Sequence, residues 1–501
     1  MEIFANLGLG FATALSPDNL LFCFVGVLLG TMIGVLPGLG PTATIAMLLP
    51  ITFHLGPVSA LIMLAGIYYG SQYGGSTTAI LVRIPGESAS VVTCLDGYEM
   101  ARQGRAGSAL AIAALGSLLA GCVSTVAIAA LGPPLAGIAL LFGPAEYVSL
   151  MVLGLISAVV LAHGSVGKAI VMIFVGLLLG MVGTDVNSGT PRFVFGRPEL
   201  YEGIGFIPLA MGLFGLSEIM LNLEQTAGRG VKTAIVNRLW PTRDDFKRAW
   251  PASVRGTLLG TVLGILPGGG ATLSSFAAYS LEKKVARDPS RFGKGAVEGV
   301  AGPESANNAA SQAGFIPMLS LGIPPNAIMA LMIGALTIHG ITPGPRAMST
   351  NPELFWGMIA SMWIGNVMLV ILNLPLIGLW VKLLQVPYKY LFPAILVFCC
   401  IGNYSLNNSV FEVLLMAGFG VFGYILRKLD CEPAPLLLGF VLGPMLEENL
   451  RRAMLLSFGD ASVFVTRPIS AGLLLVAVGL LLIVLLPAFR RTREVAFQES
   501  E

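Results

Sequence analysis

The sequence predicts an all-α polytopic membrane protein built from two inverted-topology repeats, with broken helices or re-entrant hairpins and about 11–12 transmembrane segments. Three observations predict it. Of 501 residues, 55% are apolar and only 11% are charged, with a mean hydropathy of +0.82. A soluble chain carries about 25% charged residues, so this one has too few to cover a wetted surface of its size. Long apolar runs recur. Leu110–Leu131, Val148–Ala162, Ala169–Val182 and Ile469–Phe489, with their flanks, reach the ~18 residues that mark a membrane span. Finally, one motif occurs twice. Residues 30–42 read GTMIGVLPGLGPT and residues 260–272 read GTVLGILPGGGAT, identical at 8 of 13 positions. Repeats at this spacing point to a duplicated unit.

The chain divides accordingly. Residues 1–225 form the first repeat, 226–255 a basic linker, 256–450 the second repeat, and 451–501 a last helix with a basic tail. Each motif is followed by a small, polar stretch. GSQYGGSTTAILVRIPG (70–86) contains Ile84-Pro85, and AGPESANNAASQAGF (301–315) leads into Ile323-Pro324. The first motif has no Lys or Arg near it. The second lies between Lys232–Arg255 and a cluster of Lys283, Lys284, Arg287, Arg291 and Lys294. Lys and Arg collect on the cytoplasmic side, so the two copies are expected to face opposite sides. Spans are expected near 57–82, 107–130, 147–162, 167–185 and 203–222. The second set falls near 295–323, 354–380, 391–407, 410–426, 434–449 and 469–489. This places the N-terminus outside and the linker and the Arg490, Arg491, Arg493 tail inside. The first Lys or Arg is Arg83, so no cleavable signal peptide is expected.

The motifs break helices. Proline lacks the N–H donor and glycine is costly in a helix. Inside a bilayer, non-helical backbone persists only where protein or a wet cavity surrounds it. Pro37, Gly38, Gly40, Pro41 and Thr42, with Pro267, Gly268, Gly270 and Thr272, are therefore candidates for a midplane substrate and ion site. Thr42 and Thr272 are placed to cap the new helix N-termini, which favour an anion. The bland alternative is a kink or a close helix crossing. Ser71, Gln72, Tyr73, Gly74, Gly75, Ser76, Thr77 and Thr78 read as a polar break. Glu304, Ser305, Asn307, Asn308, Ser311 and Gln312 read as its counterpart. Hydroxyls, amides and unwound carbonyls suit a carboxylate or a coupling Na⁺. Glu304 is the sharpest candidate, because a carboxylate at membrane depth is expensive. A coupling Na⁺ is expected near Gly38, Gly268 and Asn307. The bland reading here is a polar packing surface. Glu146, Asp185, Arg192, Arg197, Glu447, Glu448, Arg451 and Arg452 read as solvated span ends or partner surfaces, and 96–105 as a solvated loop.

Several functions are excluded or disfavoured. A net charge of +2 gives no bulk attraction to nucleic acid. Cys23, Cys94, Cys122, Cys399, Cys400 and Cys431 form no CxxC pair and read as small core residues. His54, His163 and His339 are scattered, so no metal centre and no cofactor beyond a coupling Na⁺ or H⁺ are expected. No phosphate-cradling GxxxxGK[ST] and no GxSxG motif occurs. An enzyme is therefore not expected, and any concentrative transport must draw on an ion gradient or another chain.

GVLPGLGPTATIAMLLP (34–50), YYGSQYGGSTTAILVRIPGE (68–87), GILPGGGATLSSFAAYSLEKK (264–284) and GPESANNAASQAGFIPMLSLGIPP (302–325) resemble the large membrane subunit of the tripartite tricarboxylate transporters, the TctA family. The likeness runs from about residue 10 to 450. It implies a small membrane partner (TctB-like), a periplasmic solute-binding protein (TctC-like), and residence in the bacterial inner membrane. It also implies uptake of citrate or another carboxylate driven by Na⁺ or H⁺, with an elevator-like motion. An uncoupled organic-anion channel or facilitator is the alternative.

Overall fold

The computed structural model describes residues 2–36, 40–161, 165–185, 188–225, 239–266, 270–341, 343–384 and 388–485. The first half contains α1 (Glu2–Ala14), α2 (Pro17–Val35), α3 (Pro41–Phe53), α4 (Pro57–Val82), α5 (Thr93–Arg102), α6 (Ala106–Ala139), α7 (Pro144–Leu161) and α8 (Val166–Gly180). A two-residue ribbon follows, Gly183–Thr184 with Pro191–Arg192. Then α9 (Phe206–Ala210) passes through a π-helical turn, Met211–Leu216, into α10 (Ser217–Gln225). The second half opens with α11 (Arg243–Ile265), α12 (Gly270–Val285), α13 (Glu298–Ala313), α14 (Phe315–Leu321) and α15 (Ala327–Ile338). It continues with α16 (Pro345–Thr350), α17 (Pro352–Asn373), α18 (Ile377–Leu383), α19 (Tyr388–Asn407) and α20 (Val410–Lys428). The last are α21 (Pro433–Leu456), α22 (Val463–Thr466) and α23 (Pro468–Leu485). Five of the described helices are long and apolar enough to cross a bilayer, and seven shorter ones are apolar. The protein is an all-α polytopic membrane protein.

Two helix pairs organise it, and glycine explains both. A Cβ on Gly26, Gly30 or Gly34 of α2 would fall 2.4, 2.5 or 2.3 Å from the carbonyl oxygens of Met63, Ile67 and Ser71 on α4. On α11, the same atom on Gly256, Gly260 or Gly264 would fall 2.2, 2.2 or 2.5 Å from those of Gly302, Ala306 and Ala310 on α13. Lipid tails are as apolar as leucine, so helix association in a bilayer rests on close packing, which small residues permit. In each pair both residue numbers rise together, so the two helices run parallel. The intervening chain, α3 or α12, therefore runs back along its pair. Subtracting 230 from the α11 positions gives the α2 positions. Subtracting 239 from 302, 306 and 310 gives 63, 67 and 71. The second offset also superposes Ile323-Pro324 on Ile84-Pro85.

Helix α6 packs against α4, α5, α11, α13, α14 and α17. At 1.5 Å per residue its 34 residues extend about 50 Å, beyond the ~30 Å hydrocarbon core. It carries Ser117, Ser124 and Thr125 into the interior, all buried.

Three sequence expectations change. Residues 71–78 and 304–312 are continuous helix in α4 and α13. The chain breaks only after them, at Arg83 in the left-handed region (φ 60) and in the turns at Gly314 and Gly322 (φ 74). Neither polar stretch therefore offers unwound carbonyls. The 96–105 stretch is not a solvated loop. Most of it is helix α5, and Asp96 is fully buried. Asp96 accepts hydrogen bonds from the backbone N–H of Gly295 and Ala296, both at 2.8 Å, and from Tyr279 Oη at 2.9 Å. It thereby satisfies donors just ahead of α13. Last, several charged span ends pair with one another. Arg192 reaches Glu447 at 2.7 Å, and Arg451 reaches Glu447 at 2.6 Å and Asp185 at 3.1 Å. Arg467 reaches the buried Glu146 at 2.5 Å.

Asp96→Ala removes the acceptor shared by two buried amides and takes one partner from Tyr279. An unmade buried hydrogen bond costs about 1–3 kcal/mol, so thermal unfolding in detergent should show a clear drop in midpoint. Asp96→Asn keeps an acceptor oxygen and should lose less. Equal midpoints for Asp96→Ala and the unmodified protein would contradict the capping role.

Candidate substrate and ion site

The polar residues of α4 divide by face. Ser71 donates to Tyr68 O at 2.7 Å, and Thr78 donates to Val35 O of α2 at 2.9 Å. A Cβ on Gly74 would lie 2.3 Å from Thr31 O. These three serve the contact with α2. Gly75 abuts the Glu87 side chain, whose Cγ would be 2.8 Å from an added Cβ. Gln72 is buried. Tyr73, Ser76 and Thr77 point the other way and line a small cavity with Ser117 of α6 and Asn373 of α17.

Beside that cavity sits Glu304, on the first turns of α13 and fully buried. Its carboxylate accepts from the hydroxyls of Ser76 and Thr93, one to each oxygen. Asn307 Nδ2 lies 3.5 Å from Oε2. Asn308 Nδ2 donates to Ser117 Oγ at 2.7 Å, to Asn307 Oδ1 at 2.6 Å and to Glu304 O at 3.0 Å. One turn on, Ser311 donates to Asn308 O at 3.0 Å, and Gln312 Oε1 accepts from Thr125 at 2.8 Å. Ser305 is buried against Gly116 of α6. Among the described residues, no ion pair includes Glu304. A buried, hydrogen-bonded carboxylate without a cation is one that can exchange a proton or balance a bound cation.

The breaks themselves lie partly outside the described residues: Pro37, Gly38, Pro267 and Gly268 are not described. Gly40 is the N-cap of α3, Pro41 its first residue and Thr42 its second, and no side chain caps that end. Gly270 begins α12 with φ +44. Thr272 does not cap α12; its hydroxyl meets Ser88 Oγ at 2.9 Å. The capping role expected for both threonines is thus not the one adopted. The Ser88 contact does join the second break to the turn that follows α4.

The cavity beside Glu304 measures about 10 Å³, whereas small-molecule pockets run to about 300–1,000 Å³. The conformation is closed to a di- or tricarboxylate at this point. A larger cavity, about 320 Å³, lies between residues 180–202 and the end of α21, lined by Asp185, Arg192, Glu447 and Arg451. None of the candidate residues lines it.

Residues 20–438 match the tripartite tricarboxylate transporter TctA family. The chain belongs to the TctA family. A relative from Agrobacterium vitis, the "Uncharacterized 52.8 kDa protein in TAR-I ttuC' 3'region", is 60% identical over 501 residues and all of both chains. A second from the same organism, the "Uncharacterized protein in TAR-II ttuC' 3'region", is 60% identical over 242 residues, 48% of this chain and all of its own. No solved structure matches.

In this TctA protein the cluster recruits residues that the motif reading passed over: Thr93, Ser117, Thr125, Asn366 and Asn373. Tyr73 Oη donates to Asn366 Oδ1 at 3.4 Å. A signal for some of them was present. Ser117, Ser124 and Thr125 recur at i, i+7 and i+8 in an apolar run, and Asn366 and Asn373 are seven apart in another. That spacing puts polar groups on one inward face of a helix.

Proposed function

We propose that this chain is the permease subunit of a binding-protein-dependent secondary transporter. It imports tricarboxylates or related organic carboxylates across the bacterial inner membrane, coupled to a Na⁺ or H⁺ gradient. A TctB-like subunit and a TctC-like periplasmic binding protein complete the system. The observation that carries this reading is the Glu304 carboxylate, without an ion-pair partner among the described residues and buried where α4, α5, α6 and α13 meet in a chain of this family. The backward runs of α3 and α12 support hairpins that enter and leave on one side. The opposite charge flanks of the two motifs support inverted halves. On this reading the candidate residues around both breaks, with Asn307 and Asn308, contact substrate or coupling ion, and the closed cluster is one stage of an elevator-like cycle.

Reconstituted uptake of labelled carboxylate should require the binding protein. It should collapse when the Na⁺ and H⁺ gradients are dissipated together. Uptake that continues down a substrate gradient under those conditions would instead identify an uncoupled facilitator.

A further inference from the structure

The cavity walled by Tyr73, Ser76, Thr77, Ser117 and Asn373 has an unusual hydrogen-bonding balance. Four of the five have their donors already in use. Ser76 donates towards Glu304 and Gln72 O, Thr77 to Tyr73 O at 3.3 Å, and Tyr73 to Asn366. Asn373 Nδ2 donates to Leu369 O at 2.9 Å and Thr31 Oγ1 at 3.3 Å. Ser117 Oγ already accepts from Asn308. What remains is oxygen lone pairs and the Ser117 hydroxyl hydrogen, which can rotate away from the space. Asn373 is 4% exposed, and its Oδ1 has no hydrogen-bond partner among the described residues. These oxygens, set among Leu110, Ala113, Ala114 and Leu374, offer an anion little and suit a hard cation. At about 10 Å³, the space admits one water-sized species. Burying a cation in low dielectric needs a countercharge. Glu304 supplies one, a single hydroxyl away through Ser76.

We propose that this cavity is a Na⁺ site, with Ser76, Thr77, Ser117 and Asn373 Oδ1 as its oxygen ligands and Glu304 as its countercharge. The site lies between α4, α6 and α17. Its role as the coupling site rests on the transport reading above; its occupancy does not.

The test uses the purified full-length protein in detergent, without substrate, binding protein or ion gradient. Thermal unfolding is followed against NaCl, with choline chloride holding ionic strength constant and KCl in parallel. Na⁺ should stabilise saturably, and K⁺ and choline should not. Thr77→Val, which keeps the side chain's shape, and Ser117→Ala should each raise the half-saturating Na⁺ concentration about tenfold or more. Asn403→Ala, at another buried asparagine whose side chain has no hydrogen-bond partner among the described residues, should leave it unchanged. A response shared by K⁺, one that follows pH but not Na⁺, or half-saturation unmoved in both variants overturns the site. Uptake that proves independent of Na⁺ while the stabilisation persists would refute coupling and leave the site standing.

Discussion

Glu304→Gln should abolish concentrative uptake while the protein still inserts and purifies as a single species. The substitution changes the side-chain volume little but removes the charge. One carboxylate oxygen, which accepts from a hydroxyl of Ser76 or Thr93, becomes an NH₂ that must itself donate. A hydrogen bond to a charged group contributes about 1.5–3 kcal/mol, and 1.4 kcal/mol is a factor of ten. Uptake in proteoliposomes should therefore fall by more than about tenfold. Ser76→Ala and Thr93→Val each remove one donor and should cost less than the charge itself. Size-exclusion profiles separate loss of function from loss of fold. Uptake at the unmodified rate in Glu304→Gln would remove this residue from the transport cycle.

Gly260→Val should prevent the protein from folding. The first added carbon would lie 2.2 Å from Ala306 O and 2.7 Å from Ala306 Cα. Both are backbone atoms, so no rotamer change relieves the overlap. Overpacking a well-packed core costs about 1–3 kcal/mol when side chains can shift; here only the α11–α13 separation can yield, and the loss should be larger. Gly137→Ala is the control. Nothing lies within 4 Å of the position where its Cβ would sit, and alanine is the better helix former by about 1 kcal/mol. Fluorescence-detected size exclusion should show aggregate for Gly260→Val and a normal peak for Gly137→Ala. A normal peak for both would mean that α11 and α13 stand further apart than described.

Much of this was legible in the sequence, for identifiable reasons. Membrane residence follows from composition alone. The duplicated unit was visible because Gly30, Gly34, Gly260 and Gly264 fall inside the two matching motifs, where the backbone contacts leave no room for another residue. Glu304 stood out as a carboxylate amid small apolar residues. Two features were not legible. The local richness of Ser, Thr and Gly at 70–78 looks like a loop, yet the stretch stays helical, with the hydroxyls of Ser71, Ser76, Thr77 and Thr78 turned onto i−3 or i−4 carbonyls and Thr78 also onto Val35 O of α2. The other feature is long-range partnership. Thr93 meets a residue 211 positions away and Ser117 one 191 positions away, and no local pattern encodes such meetings. Asp96 shows the same limit, since its partners at 295 and 296 follow only once α5 is folded against α13.

The glycine contacts also bear on mechanics. Where a carbonyl rests directly on a glycine, no side chain lies between to bend, swing or change rotamer. Each parallel pair, α2 with α4 and α11 with α13, should therefore respond to load as one stiff beam rather than as two sliding rods. Strain applied at one end of a pair would travel the length of its beam with little absorbed on the way. Compliance is left to the seams built from flexible side chains, such as those along α6, where Gly121 and Gly132 meet the side chains of Asn366 and Phe355, and any large displacement in this molecule should run along them.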